Sequence, residues 1–256
     1  MGTLLARLIG VHAGYGARSV LAGVDLDVPT GRQLAILGPS GAGKSTLLRL
    51  FGRELEPTRG QVWFDPDAPV RAAVVHQDPY LYEWLTIGEN IGLGLNFAAN
   101  RDCDRARLQH AVDLVGLGPL AGRYPDEVSG GQAQRAALAR ALAISPGLLL
   151  LDEPFSALDP VTRGELQQWL RRAVEGDQLT SVLVTHDLDE ALVVADDIAV
   201  LDGSGRIRRR WRNDRPARDV VDAHAHPLRA ELRRAFDPLT VEPDDAEFSG
   251  TAARHG

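Results

Sequence analysis

The stretch RQLAILGPSGAGKSTLLRLF, residues 32–51, restricts the fold more than any other part of this chain. A short apolar run, RQLAILG at 32–38, stops at a glycine, and Leu47, Leu48 and Phe51 then recur at helical spacing. That is a strand, a glycine-rich loop and a helix in direct succession. Four further runs are short, apolar and closed by a polar residue: AAVVHQ (72–77), LLLLD (148–152), SVLVTH (181–186) and IAVLD (198–202). Such runs predict strands buried on both faces of a largely parallel sheet. Their polar ends then gather at the carboxyl edge, where α/β proteins hold ligands. The fold class is α/β.

Two regions depart from this rhythm. From about 84 to 140 no strand is predicted, while RDCDRARLQHAVDLVG and GGQAQRAALARALA are helical in composition and spacing. They suggest a helical subdomain inserted into the sheet domain. From about 205 to 256 the chain suggests a hairpin, one helix over 222–238 and a mobile tail. The DGSG turn precedes seven arginines between 206 and 218, which read as a charged edge strand or, alternatively, as a contact for anionic lipid heads. A length of 256 residues accommodates this as one domain with a subdomain.

Composition limits the classes of partner. A formal net charge of −7 argues against nucleic acid. Cys103 is the single cysteine, so no internal disulfide forms and a reducing compartment is expected. No apolar run reaches the roughly 18 to 20 residues needed to cross a bilayer. Arg7 splits the apolar residues at the N-terminus and Ala6 breaks a myristoylation pattern, so a cytoplasmic location is expected.

Gly38, Pro39, Ser40, Gly41, Ala42, Gly43, Lys44, Ser45 and Thr46 fit G-x-x-x-x-G-K-[ST], a phosphate-binding loop. Gly38, Gly41 and Gly43 are expected to permit positive φ, so that successive N–H groups turn toward phosphate oxygens. Lys44 is the only lysine in the chain, every other basic residue being arginine. A compact ammonium suits β and γ phosphates where a broad guanidinium would not fit. Ser45 offers a hydroxyl to Mg²⁺. LLLLDEP at 148–154 delivers Asp152 to the sheet edge, where it could hold Mg²⁺ through water, and Glu153 beside it could polarise an attacking water. The alternative is a solvated turn. In VSGGQ, Ser129 and Gln132 have capping-box spacing ahead of an alanine-rich helix. This is either a well-capped helix or a second phosphate clamp, and a loop plus a separate clamp suggests two chains meeting head to tail.

Together, in this order, GPSGAGKST, VSGGQ and LLLLDEP resemble the Walker A, signature and Walker B motifs of the nucleotide-binding subunit of ABC transporters, over roughly residues 5–205. Valine stands where that signature usually has leucine, with Ser129, Gly130, Gly131 and Gln132 intact. The resemblance implies a P-loop NTPase with a mainly parallel central sheet, an antiparallel β subdomain and an inserted helical subdomain. It also implies an ATPase using ATP and Mg²⁺. It places Tyr15 of AGYG on adenine, Gln77 of VVHQD at the Mg²⁺ or the attacking water, Asp159 of SALDP across a dimer interface and His186 of LVTHD at the γ-phosphate. The implied partners are a second ATPase subunit in a homodimer, transmembrane permease subunits and, indirectly, a solute-binding protein, at the cytoplasmic face of the membrane. HQDPYLYEWLTIGENIGLGL and RPARDVVD resemble importers of the nitrate, sulfonate and taurine group, with Glu83 where proline is common. The alternative is an ABC-type ATPase acting in DNA repair or translation without a membrane subunit. Coiled coils, zinc insertions or a second ATPase half would be expected then, and the sequence contains none of these.

Overall fold

The computed structural model describes residues 3–236 except 17, 69, 101, 104, 105, 157 and 178. Two sheets organise it. The larger has the order β5-β6-β7-β3-β8-β9, from β3 (Gln33–Leu37), β5 (Ala72–Val75), β6 (Leu148–Asp152), β7 (Thr180–Thr185), β8 (Asp197–Leu201) and β9 (Ile207–Arg212). Pairing is parallel from β5 through to β8, and β9 closes one edge antiparallel to β8. Each of the five apolar runs is therefore a strand, displaced by no more than two residues at either end.

Burial on both faces explains why these strands lack an apolar–polar alternation. Leu34, Ile36, Leu148 and Leu150 face one core, shared with α1 (Lys44–Phe51) and the smaller sheet. Ala35, Leu37, Leu149 and Leu151 face the other, shared with α5 (Pro160–Asp177) and α6 (Leu188–Val194). The smaller sheet has the order β2-β1-β4 and is antiparallel, from β1 (Leu4–Tyr15), β2 (Arg18–Pro29) and β4 (Arg59–Phe64).

Between β5 and β6 the described chain forms helices joined by loops and contains no strand. It includes α2 (Ile87–Gly92), α3 (Ala106–Leu114) and α4 (Gly130–Ala143), joined by a small core of Ile87, Ile91, Val112, Ala136 and Ala139. Thr86 and Glu89 form the capping box that starts α2. Among the described residues of RDCDRARLQHAVDLVG, 106–114 are α-helix.

The C-terminal region corrects one expectation. The single helix expected over 222–238 is two, α7 (Val220–His224) and α8 (Arg229–Phe236). Pro227 lies between them; it has no N–H to donate and restrains the residue before it. The mobile tail expected after that helix falls within residues 237–256, which lie outside the described residues. The arginines of β9 sit on an edge strand and are internally paired: Arg209 with Glu231 at 3.5 Å and Arg210 with Asp27 at 4.0 Å.

Candidate functional site

The parallel strands β3, β5, β6 and β7 all end at one edge of the large sheet, and the segments following β3, β5 and β6, with Tyr15, Arg18 and Val20 of β1 and β2, line a cavity of about 670 Å³. From β3 the chain turns through the glycine loop into α1. Gly43 precedes that helix with φ 104°, a left-handed conformation. A Cβ there would lie 2.8 Å from Leu21 Cδ2 and 2.9 Å from Val20 Cγ1, so both backbone angle and space require glycine. Gly41 is also left-handed, with φ 81°. Gly38 is not, which corrects the expectation of positive φ at all three; it is glycine because a Cβ would stand 2.7 Å from the Leu201 carbonyl oxygen.

Lys44 is the first residue of α1 and only 6% exposed. Its Nζ donates to the carbonyl oxygens of Gly38 at 2.8 Å and Pro39 at 3.2 Å, and lies 3.2 Å from Glu153 Oε1. Glycine gives α1 no side-chain cap, so the helix start presents backbone donors and an ammonium toward the cavity, the chemistry that receives an anion.

Glu153 follows the last residue of β6. It has φ 46°, uncommon for a non-glycine residue, and its N–H donates to the Val184 carbonyl at 3.0 Å, tying this turn to the neighbouring strand. Its second oxygen lies 3.0 Å from His186 Nδ1. One carboxylate thus joins the glycine loop of β3 to the end of β7.

Behind His186, Thr185 Oγ1 donates to Glu190 Oε2 at 2.6 Å and accepts the Asp187 N–H at 3.0 Å. Burial pushes the Glu190 carboxyl up to about 7; the Thr185 hydroxyl opposes that shift and Asp187 adds to it.

Of the residues expected from sequence, Tyr15, Ser40, Gly41, Gly43, Lys44, Ser45 and Thr46 line the cavity, together with Gln77, Asp152 and Glu153. Tyr15 stands at the rim, 46% exposed, its hydroxyl accepting from Arg49 Nη1 at 3.1 Å. Ala42 is buried beneath the loop. His186 reaches the site through Glu153. Ser129, Gly130, Gly131, Gln132 and Asp159 are not among the lining residues. Ser129 and Gln132 cap α4 reciprocally: Ser129 N–H donates to Gln132 Oε1 at 2.9 Å and Gln132 N–H to Ser129 Oγ at 3.3 Å. Asp159 caps α5, accepting the N–H groups of Val161 and Thr162 at 3.1 Å.

Sequence reasoning missed Arg18, Val20, His76, Asp78 and Tyr80 as lining residues. It also missed the ties from α4 to the segment around Gln77: Gln134 Nε2 donates to His76 O at 3.1 Å, and Arg140 donates to Pro79 O and Tyr80 O, each at 2.8 Å. Only short spacing could have signalled the first group, that of His76, Asp78 and Tyr80 from Gln77 and that of Arg18 and Val20 from Tyr15. Among the described residues no cluster of three or more His, Cys, Asp or Glu could hold a metal, and no helix is long and apolar enough to cross a membrane.

Comparison with known proteins adds a family match, two relatives and two solved structures. Residues 21–156 match the family described as ABC transporter. The sulfate/thiosulfate import ATP-binding protein CysA of Synechocystis sp. is 43% identical, with 94% of this chain and 78% of that protein covered. The aliphatic sulfonates import ATP-binding protein SsuB 1 of Agrobacterium fabrum is 46% identical over 77% of this chain and 70% of its own length. Among solved structures, the dimeric post-hydrolysis state of the ATP-binding cassette MJ0796 bound to ADP and Pi superposes with a TM-score of 0.69 at 31% identity, covering 82% of this chain and 100% of that one. The cbiO1 protein of Clostridium perfringens, part of the transporter complex cbiONQ, superposes with a TM-score of 0.74 at 25% identity, covering 90% and 94%.

Proposed function

This chain belongs to the ABC transporter family and is an ATPase, and from that premise we propose that it energises import of a small sulfur oxyanion: sulfate, thiosulfate or an aliphatic sulfonate, the class that includes taurine. The names of its relatives support that cargo class over nitrate. We read residues 1–256 as one ABC ATPase domain at the cytoplasmic face of a membrane, bound to permease subunits and served indirectly by a solute-binding protein. The dimeric cassette MJ0796, and cbiO1 as a part of a transporter complex, support the assembly.

The observation that carries the chemistry is the contact series Lys44–Glu153–His186. Phosphates entering the loop compete for the Lys44 ammonium, which now rests on Glu153. The freed carboxylate then holds and polarises the attacking water, while His186 stands ready to donate toward the γ-phosphate. Tyr15 stacks on adenine, and residues 38–46 hold the phosphates. Ser45, Gln77 and Asp152, which line this cavity with oxygen donors, would hold Mg²⁺. A Mg²⁺ held by these residues would supply neutralisation of phosphate charge. Ser129 to Gln132 and Asp159, outside this cavity, complete the site of a second copy across a two-fold interface.

The test is capture of tagged Glu153→Gln protein with ATP and Mg²⁺ from gently solubilised host membranes, with partners identified by mass spectrometry. A stoichiometric polytopic membrane protein is expected. Recovery of only soluble proteins or nucleic acid would move the ATPase to repair or translation.

A further inference from the structure

One side chain binds the start of α5 to the start of α6. Arg163 lies in the first turn of α5, and its N–H donates to the Asp159 carbonyl at 2.9 Å. Its guanidinium therefore leaves the same turn that Asp159 caps. Nη2 donates to the Leu158 carbonyl at 3.3 Å, and Nη1 lies 3.5 Å from Asp187 Oδ2. Asp187 uses its other oxygen to cap α6, accepting from the N–H groups of Asp189 at 2.8 Å and Glu190 at 3.3 Å. The Asp187 N–H in turn holds Thr185 Oγ1. His186 is thus fixed on both sides by groups that Arg163 touches directly or through one bond.

Stability alone does not account for this arrangement. A partly exposed ion pair contributes about 0–1 kcal/mol, and both side chains here are close to one-third exposed, at 28% and 30%. Arg163 Nε is moreover buried without a hydrogen-bond partner among the described residues, a burden of about 1–3 kcal/mol. A guanidinium stretched between two loops explains the unpaired nitrogen, because its other two nitrogens are committed in different directions. Nearby, Gly131 packs against Thr162, where an added Cβ would meet Thr162 Cγ2 at 2.5 Å. The turn held by Arg163 therefore also touches the start of α4.

We propose that Arg163 is a positioning residue for hydrolysis, transmitting the placement of the 158–159 segment through Asp187 to His186 and so to Glu153. This rests on the reading above that Asp159 and the start of α4 face a second copy. Engagement of that copy at the Asp159 turn shifts the guanidinium, and Asp187 carries the shift to the histidine.

The test compares Arg163→Gln, Asp187→Asn and the double variant; asparagine keeps the helix cap while removing the charge. Each single substitution is expected to lower kcat about tenfold, with KM for ATP and thermal midpoint near the parent's, because a small misplacement at a reacting centre is enough for such a loss. The double variant is expected to be no slower than the slower single, since both remove one link. A kcat within about twofold of the parent, multiplicative losses in the double, or a loss confined to KM or folding would overturn the proposal. Light scattering of Glu153→Gln with ATP reads the dimer separately. A monomer there sinks the dimer reading and the interfacial coupling with it, whereas a dimer alongside an unchanged kcat in Arg163→Gln sinks only the coupling.

Discussion

Lys44 Nζ and Glu153 Oε1 lie 3.2 Å apart, the lysine opening α1 after the glycine loop of β3 and the glutamate directly following β6. The strand that separates them in the sheet, β7, ends next to His186, which holds the other oxygen of the same carboxylate. The buried ammonium is thereby paired with a carboxylate, as a charge at 6% exposure requires.

Replacing that lysine removes the charge contact to the phosphates. Lys44→Ala is expected to lower kcat/KM for ATP hydrolysis by about 100-fold or more. Steady-state phosphate release measures it, and near-parental turnover would refute the assignment of the loop.

Glu153→Gln keeps shape and hydrogen bonding but loses the base. ATP binding is expected to persist while turnover falls by roughly 100- to 1,000-fold, and dimers are expected to accumulate with ATP. Single-turnover kinetics and size-exclusion chromatography check both; an unchanged rate means another group positions the water.

Tyr15→Ala removes a ring at the cavity rim. The affinity for ATP is expected to weaken about tenfold, the equivalent of ~1.4 kcal/mol of stacking, with kcat unchanged at saturation. Equal affinity by calorimetry removes Tyr15 from the site.

Glu190 makes a pH prediction. Its carboxyl is pushed by burial from an ordinary 4.5 up to about 7. The unfolded chain deprotonates there first, so the contribution of this group to stability is full below 4.5 and is lost as pH rises through about 7. Glu190→Gln avoids that loss and still accepts the Thr185 hydroxyl. Relative to the parent, its stability is expected to gain roughly 3 kcal/mol between those limits. Denaturant titrations at pH 5 and pH 8 measure this, and a parallel pH dependence in both proteins would disprove the buried protonated acid.

The parts legible beforehand were those written within a few residues. The central strands declare themselves by apolar runs, and the caps at Ser129 and Gln132 by their spacing. The three strands of the smaller sheet were implied only by the family resemblance. β1 and β2 carry several irregularities of register and glycines within the strand, which break the period-two pattern that marks a strand. The division of α7 from α8 was overlooked although Pro227 marks it. The pairing of Arg163 with Asp187 had no local sign at all, because it joins side chains from two helix starts.

The sequence by itself determined the local chemistry: a glycine loop closing on its one lysine, two carboxylates ending a buried strand, and helix starts with their own caps. These depend on backbone angles and hydrogen bonds between residues at most six apart in the chain. Only the tertiary structure decided that Glu153 stands between Lys44 and His186 and that Arg163 holds Asp187. Those contacts follow from the order in which distant strands bury their apolar faces, a cooperative choice that no short segment contains.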